Sequence, residues 1–454
     1  MRKKALLAAM MAMVLLLSGC ALIVKDEAVD NATEIIRLGD QVITKGEIKA
    51  QTDAYLQLYA NYGYISDTTD PAAIAEMQNR VIDGYKENLA LTAKVKELGL
   101  DQLTDEELET VKTKAQEDYD SILESAKSLV KDAEGMDEAA LAEAAAKEAE
   151  AQGYTLDSRI EYETQLMADN KLYDYAVKDV TVTDEEIQAE YDSKVESNKT
   201  TYAENAGSWA TAANRGTTLY YTPAGVRRVK QILIKFTEED QKAISEAEQK
   251  QTDATNARTA AQAKIDSANT TLAEKELTDE AKAQAEADLK AANEELAAAD
   301  KALEEATQAV TEATDKAFAD IDEKTDEILA SLDAEGADWK AIMDEKNEDP
   351  GMKDNEKGYA VAEGMTNFDP AFVEAAMALA KPGDHSGKVK STIGNGYHII
   401  RYESDEAEGP IALDAVKETI SSSLLDTKKT EAYNAAKKQW VEEAGIKVDL
   451  NALK

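Results

Sequence analysis

The longest regular pattern in this chain lies between Thr237 and about Asp333, where proline and glycine are absent and Ala, Glu, Lys, Gln and Asp dominate. Its less polar positions step by three and four residues from Ile244 and Ala247 through Ala261 and Ile265 to Leu272, and again from Leu289 through Leu296 and Leu303 to Ala317. That is the heptad spacing of helices that seam together. Leu277-Thr278-Asp279-Glu280 separates the two series with a fresh N-cap and two acids in the first turn, so the halves should fold back as an antiparallel hairpin. At 1.5 Å per residue each arm reaches on the order of 50 Å. Alanine buries little surface, which makes the tip the least stable part. Partner binding at the tip, a spacer role and a neutral insertion all remain open.

Before the hairpin, Glu34–Leu38 and Val42–Thr44 read as strands around a turn at Gly39-Asp40. Thr44 and Glu47 form a capping-box pattern, followed by Tyr55, Leu58, Tyr59 and Tyr62 at helical spacing. Those tyrosines either line buried helix faces or form a surface for apolar clients. Pro71 opens a helix carrying Met77, Val81, Tyr85 and Leu89; Thr104–Glu107 caps another, and Leu156–Val177 makes one more. Val180–Val182 reads as a strand end before a helix capped at Thr183. Asn198–Pro223 is a polar connector that Trp209 should dock on a neighbouring domain, with a boundary near Thr222–Gly225.

Val229–Phe236 is a strand with no adjacent partner. Its companions come after the hairpin. Asp349-Pro350-Gly351 opens a loop, Asp369-Pro370-Ala371-Phe372 leads a short helix to Leu379, and Val389 and Tyr397–Tyr402 supply strands. Ile411–Leu450 reads as two helices, with Ile446–Val448 as a closing strand.

The start of the chain has a different character. Arg2, Lys3 and Lys4 precede the apolar run Ala5–Leu17, which ends in Leu17-Ser18-Gly19-Cys20. This is a secretory signal, too short for a stable membrane span. Cys20 is the one cysteine, so an exported protein here has no disulfide framework. The 454 residues suggest two to four domains, and a net charge of −40 argues against nucleic acid and anionic lipid surfaces as partners. With two histidines and one cysteine, a metal site has nothing to build on, and no cofactor is expected.

The ordered set of the Val229–Phe236 strand, "DPG", "GM", "DPAF", "PGDHSGKV" and "GYHII" resembles the parvulin (PpiC-type) peptidyl-prolyl isomerase domain. The whole architecture resembles PrsA-type foldase lipoproteins with SurA-like flanks. The resemblance covers roughly Val226–Phe236 and Lys316–Tyr402, and the flanks by pattern only. It implies an α+β protein: a mostly helical, discontinuous chaperone domain and a small parvulin-like α/β domain interrupted by the coiled-coil hairpin. In residues, this means a signal peptide at 1–19, a tether at 20–33, a chaperone-like region at 34–225, an isomerase domain at 226–404 with the insertion at 238–316, and C-terminal helices at 405–454 that pack on the N-terminal region.

By the same resemblance, Cys20 carries a diacylglycerol that anchors the chain on the extracytoplasmic face of the cell membrane. Its partners would be unfolded or folding secreted polypeptides. Met365 and Phe372 match the family's proline-pocket residues, Asp349 the acidic-or-cysteine position near the imide, His398 the buried histidine of the last strand and Thr392 the hydroxyl beside it. Gln231 stands where the family has a second histidine, a departure that points to weak catalysis. Phe368, three residues after Met365, competes with it for the pocket position. The family's "GGDLG" is reduced to Glu356-Lys357-Gly358, leaving one apolar wall unaccounted for. His398 has an alternative role as a satisfied core histidine. An exported chaperone and isomerase is the expected function, with a holdase that has lost catalysis as one alternative and a solute-binding lipoprotein as another. Nothing in the chain indicates an oligomeric state.

Overall fold

A computed structural model of the chain describes residues 27–131 and 135–453, so the signal segment and Cys20 lie outside the described residues. The protein is α+β and divides into two compact units. One comprises the chain up to Val182 together with the part from Ser422 onward; the other is Thr183–Ser421.

The first unit opens with α1 (Glu27–Asn31), β1 (Glu34–Leu38), β2 (Gln41–Thr44) and α2 (Lys45–Asn61), followed by α3 (Pro71–Glu97), α4 (Asp105–Lys127), α5 (Glu138–Ala151) and α6 (Leu156–Val177). Local chemistry sets these starts. Thr44 and Glu47 cap α2 reciprocally, Thr104 and Glu107 do the same for α4, and Asp70 caps α3 ahead of Pro71. Ile35 and Ile36 of β1 are buried against Ile48 of α2 and Val81, Ile82 and Leu89 of α3. Helix α5 has no counterpart in the periodicity reading: its sequence is nearly all alanine and glutamate, and only Ala145 and Ala149 are buried in it.

The second unit runs α7 (Asp184–Tyr202), α8 (Ala206–Asn214), β3 (Tyr221–Thr222), β4 (Arg227–Lys235), α9 (Glu238–Leu272), α10 (Asp279–Leu332), α11 (Trp339–Lys346), β5 (Tyr359–Val361), α12 (Pro370–Ala378), β6 (Val389–Lys390), β7 (Gly396–Asp405) and β8 (Gly409–Pro410). Helix α13 (Leu413–Glu443) and β9 (Lys447–Val448) complete the chain. β9 pairs antiparallel with β1, Val448 opposite Ile36, and makes the first unit's sheet three-stranded. Trp440 of α13 is buried beside Val95 of α3 and Leu172 of α6.

Helices α9 and α10 form the hairpin. Gln251 bonds Thr307, Arg258 bonds Asp300, and Lys264 bonds Glu295, so the partner number falls as the first rises, which is antiparallel pairing. Ala247, Ala254, Ala261 and Ala268 on one arm and Ala292, Ala299 and Ala306 on the other are buried along the seam. At the base, Lys316 ties the buried Asp240 carboxylate. α10 then continues unbroken into the core of the unit, where Phe318, Ile321 and Ile328 pack on Ile232, Ile234 and Ile399 of the sheet.

That sheet has the order β5-β4-β7-β6 and is antiparallel throughout. Alternation along β4 and β7 sends Ile232, Ile234 and Ile399 to the α10 side, while Gln231 and His398 share the other face. β5 covers only Arg227–Val229 of β4. Beyond it, Asn347 and Glu348 accept from the amides of Leu233 and Lys235, satisfying an edge that would otherwise be open.

Three expectations are corrected. Val180–Val182 is irregular, with no strand. Ile411–Leu450 holds one 31-residue helix, not two, because nothing between Ile420 and Tyr433 breaks it. The connector contains α8, whose Trp209 docks it as expected: the ring is buried in one cluster with Val226, Val229 and Val361, and its Nε1 donates to the Tyr221 carbonyl at 2.6 Å. The compact unit that begins at Thr183 therefore includes the connector. The cause is that α8 packs on the β5 side of the sheet: the Asn214 amide pairs with both the N–H and C=O of Ala360, each at 2.8 Å. A Cβ on Gly207 would stand 2.4 Å from the Gly364 carbonyl carbon, so glycine is what allows this approach.

Candidate functional site

His398 sits opposite Leu233 in the β4–β7 register, and Gln231 projects from the same face one pleat away. The His398 Nδ1 lies 2.8 Å from Gln231 Oε1, and Gln231 Nε2 donates to Asp349 Oδ2 at 2.6 Å. Asp349 is aimed there by its own loop. It caps the turn at Pro350–Met352 by accepting from the Gly351 amide at 2.9 Å, and it also accepts from the Tyr359 hydroxyl at 3.0 Å. Glycine at 351 leaves room for this contact, since a Cβ there would fall 2.0 Å from the Tyr359 oxygen and displace it.

On the apolar side, three aromatic rings continue the circuit. Tyr359 meets Phe368 edge-on at 5.0 Å, Phe368 meets Phe372 at 5.5 Å, and Phe372 meets the His398 ring edge-on at 5.4 Å. Each spacing lies in the range of favourable aromatic pairs. Tyr359, Phe368, Phe372, His398, Gln231 and Asp349 thus close a loop of six side chains, one half aromatic and one half polar. Phe372 is 1% exposed and Met365 is buried beside it, whereas Phe368 is only partly buried. Phe368 therefore stands nearer solvent than either.

Asp369 was not among the sequence-derived candidates, because "DPAF" reads only as a helix start. Its N-cap role is real: Oδ1 accepts from the Ala371 amide at 3.0 Å. The same carboxylate also accepts from the Ser391 hydroxyl at 2.7 Å and from the Thr392 amide and hydroxyl. The Thr392 hydroxyl is thus spent on Asp369, not on His398. Oδ2 of Asp369 lies 3.6 Å from His398 Nε2, too far for a hydrogen bond, and Nε2 has no hydrogen-bond partner.

Electrostatics follow from burial. Desolvation holds the His398 pKa below the ordinary imidazole value, against the opposing pull of Asp369 and Asp349. For Asp369, desolvation pushes upward, but the hydrogen bonds from Thr392 and Ser391 outweigh it and the net shift is downward. Burial and the Asp349 charge push the Tyr359 phenol up. The arrangement sets apolar rings next to fixed polar partners, and it presents no activated nucleophile. Among the described residues no cluster of three or more His, Cys, Asp or Glu side chains could hold a metal ion, and no helix is long and apolar enough to cross a membrane.

No family model matches the chain. It is 37% identical over 113 residues to the foldase protein PrsA of Clostridium botulinum strain 657, a match covering 24% of this chain and 32% of that protein. It is 25% identical over 177 residues to the foldase protein PrsA of Clostridium perfringens, covering 38% of this chain and 46% of that one. The chain therefore spans about a third to a half of the length of these curated relatives. Among solved structures, it aligns with foldase protein PrsA from Streptococcus pneumoniae at 14% identity and a TM-score of 0.19, covering 93% and 97% of the two chains. A SurA-like chaperone of Campylobacter jejuni aligns at 14% identity with a TM-score of 0.25, covering 92% and 100%. Scores this low support no functional reading. In sequence, the chain resembles PrsA-type foldases.

Proposed function

We propose that this protein is an exported folding factor that combines chaperone activity with peptidyl-prolyl cis-trans isomerase activity on secreted polypeptides. The observation that carries the reading is the closed circuit of Tyr359, Phe368, Phe372, His398, Gln231 and Asp349. Rotation about a peptide bond faces roughly 18–20 kcal/mol because resonance must be broken. X-Pro bonds turn over in tens to hundreds of seconds, slowly enough to limit folding. A catalyst for this step needs no covalent chemistry. It needs an apolar seat for the proline ring and a poorly solvated, fixed polar surround that favours the twisted amide, whose charge separation is smaller. Phe372 and Phe368 supply the seat in this reading, and Asp349, Gln231 and His398 supply the surround. Gln231 hydrogen-bonds on both sides as a neutral imidazole can, but it does not titrate, so turnover is weak and nearly independent of pH except through His398.

The chain is held at the membrane by lipid on Cys20, which places it where exported clients emerge. A fatty-acid label that persists in Cys20→Ser would refute that anchoring. The isomerase reading is tested by a protease-free assay on peptides with an acidic or apolar residue before proline. Acceleration over the uncatalysed rate supports it. A second reading, a holdase without catalysis, is favoured by the near-complete burial of Phe372, and it stands if no acceleration is found.

A further inference from the structure

We infer that Asp369 is a positioning residue for His398: its locked carboxylate fixes the Ser391–Thr392 turn and sets a permanent negative charge beside Nε2, while Gln231 assigns the ring proton to Nδ1. The argument deepens the isomerase reading and rests on it only for the catalytic consequence.

The proton assignment follows from a chain of donors and acceptors. A carboxylate only accepts, and Asp349 already accepts from Tyr359 and Gly351. The Gln231 group facing Asp349 must therefore be its NH₂, which turns the amide oxygen toward His398. That oxygen cannot donate, so the Nδ1 at 2.8 Å carries the hydrogen. In the neutral ring, Nε2 then holds a bare lone pair, buried and unpartnered, with His398 only 4% exposed.

Asp369 faces this nitrogen from the other side. A carboxylate has about four lone-pair sites, and four donors occupy them here: the Ser391 and Thr392 hydroxyls and the Thr392 and Ala371 amides. No site is left for His398. The 3.6 Å contact is therefore a fixed charge acting on Nε2, not a proton relay. Asp369 as a residue is 95% buried, so solvent screens it little. Asp349, Asp369 and the Tyr359 phenol are the titratable groups gathered around the ring and its Gln231 partner. Removing the Asp369 charge should lower the proton affinity of Nε2 and free the ring to turn.

Nitrogen-15 NMR of the full-length protein tests this directly, because the chain has two histidines and a His385→Gln variant assigns the spectrum. His398 should be the neutral Nδ1–H tautomer near pH 7 and should titrate below the ordinary imidazole value. Asp369→Asn should move that midpoint down by about one to three pH units, the range that an opposite charge within 4–6 Å produces. Ser391→Ala keeps the charge and removes one tie, so it should leave the midpoint in place. An Nε2–H tautomer in the unaltered protein overturns the inference without recourse to any variant. So does a wild-type ring that does not titrate before unfolding, an unmoved midpoint in folded Asp369→Asn, or an equal displacement in Ser391→Ala. In the isomerase assay, Asp369→Asn should lower kcat with little change in KM. If the NMR outcomes hold but the unaltered protein accelerates nothing, the positioning role stands and the isomerase reading falls.

Discussion

Replacing Phe372 with alanine separates the two things its ring does. The side chain is buried to 1% exposure and packs between Phe368 and His398. Truncating a buried phenylalanine costs roughly 3–5 kcal/mol, part transfer free energy and part the cavity left behind. Two aromatic contacts, each contributing about 0.5–1.5 kcal/mol beyond area, place this site in the upper half of that range. In a unit of the size Thr183–Ser421, each kcal/mol shifts the melting temperature by roughly 2–4 °C, so the transition of that unit should fall by about 8–20 °C. Calorimetry of the full-length protein reads this number. The isomerase rate is then measured at about 10 °C, where the variant is folded and the uncatalysed reaction is slow. Loss of at least tenfold in kcat/KM is expected, because the ring proposed to seat the proline is gone. If folded variant and unaltered protein have equal kcat/KM, the seat is elsewhere. A melting shift under about 2 °C would refute the packing argument itself.

Two further outcomes follow from other parts of the molecule. Replacing Glu238–Lys316 by a short Gly/Ser link removes Asp240 and Lys316 together and so leaves no buried charge unpaired; circular dichroism should lose roughly seventy residues of helix while the remainder still unfolds cooperatively. A remainder that cannot fold would make the hairpin part of the core. The contribution of His398 to stability should decline on acidification. His398 has a folded-state pKa below its unfolded value, so its contribution is complete above about pH 6.5 and fades as pH falls through the folded value, and Asp369 behaves likewise from about pH 3.9 downward. Chemical denaturation of the unaltered protein and of His398→Gln across pH 4–8 checks the sign: a stability difference that shifts in favour of the unaltered protein from pH 7 to pH 5 contradicts it.

Local signals carried far in this chain. Threonine-glutamate boxes at Thr44 and Thr104 and the cap at Thr278 start helices where their chemistry says they should. The three-four stepping of small residues became the buried seam of α9 and α10. What stayed hidden depends on contacts distant in sequence. Asp369 looks like an ordinary helix cap until the turn at Ser391-Thr392 arrives from 22 residues away. Trp209 and Asn214 sit in a polar stretch whose only sign of structure is the sheet edge they cover some 146 residues later. Asp349, Gln231 and His398 were nameable singly from the resemblance, yet their order as carboxylate, amide and imidazole is fixed by hydrogen-bond direction, which no motif encodes.

The pairing of β9 with β1 has a consequence for how the chain is made. Ile36 waits for Val448, the span between them holding nearly the whole protein, including every residue of Thr183–Ser421. A polypeptide emerging from its N-terminus cannot finish that three-stranded sheet until β9 is free, whereas the contiguous unit can be complete well before. Closing so long a loop as a flexible chain costs entropy that grows with the logarithm of its length. Once the intervening unit has become a compact body, far fewer flexible residues remain to be restrained. The unit that holds β1 and β9 should therefore complete its sheet after the contiguous unit has folded.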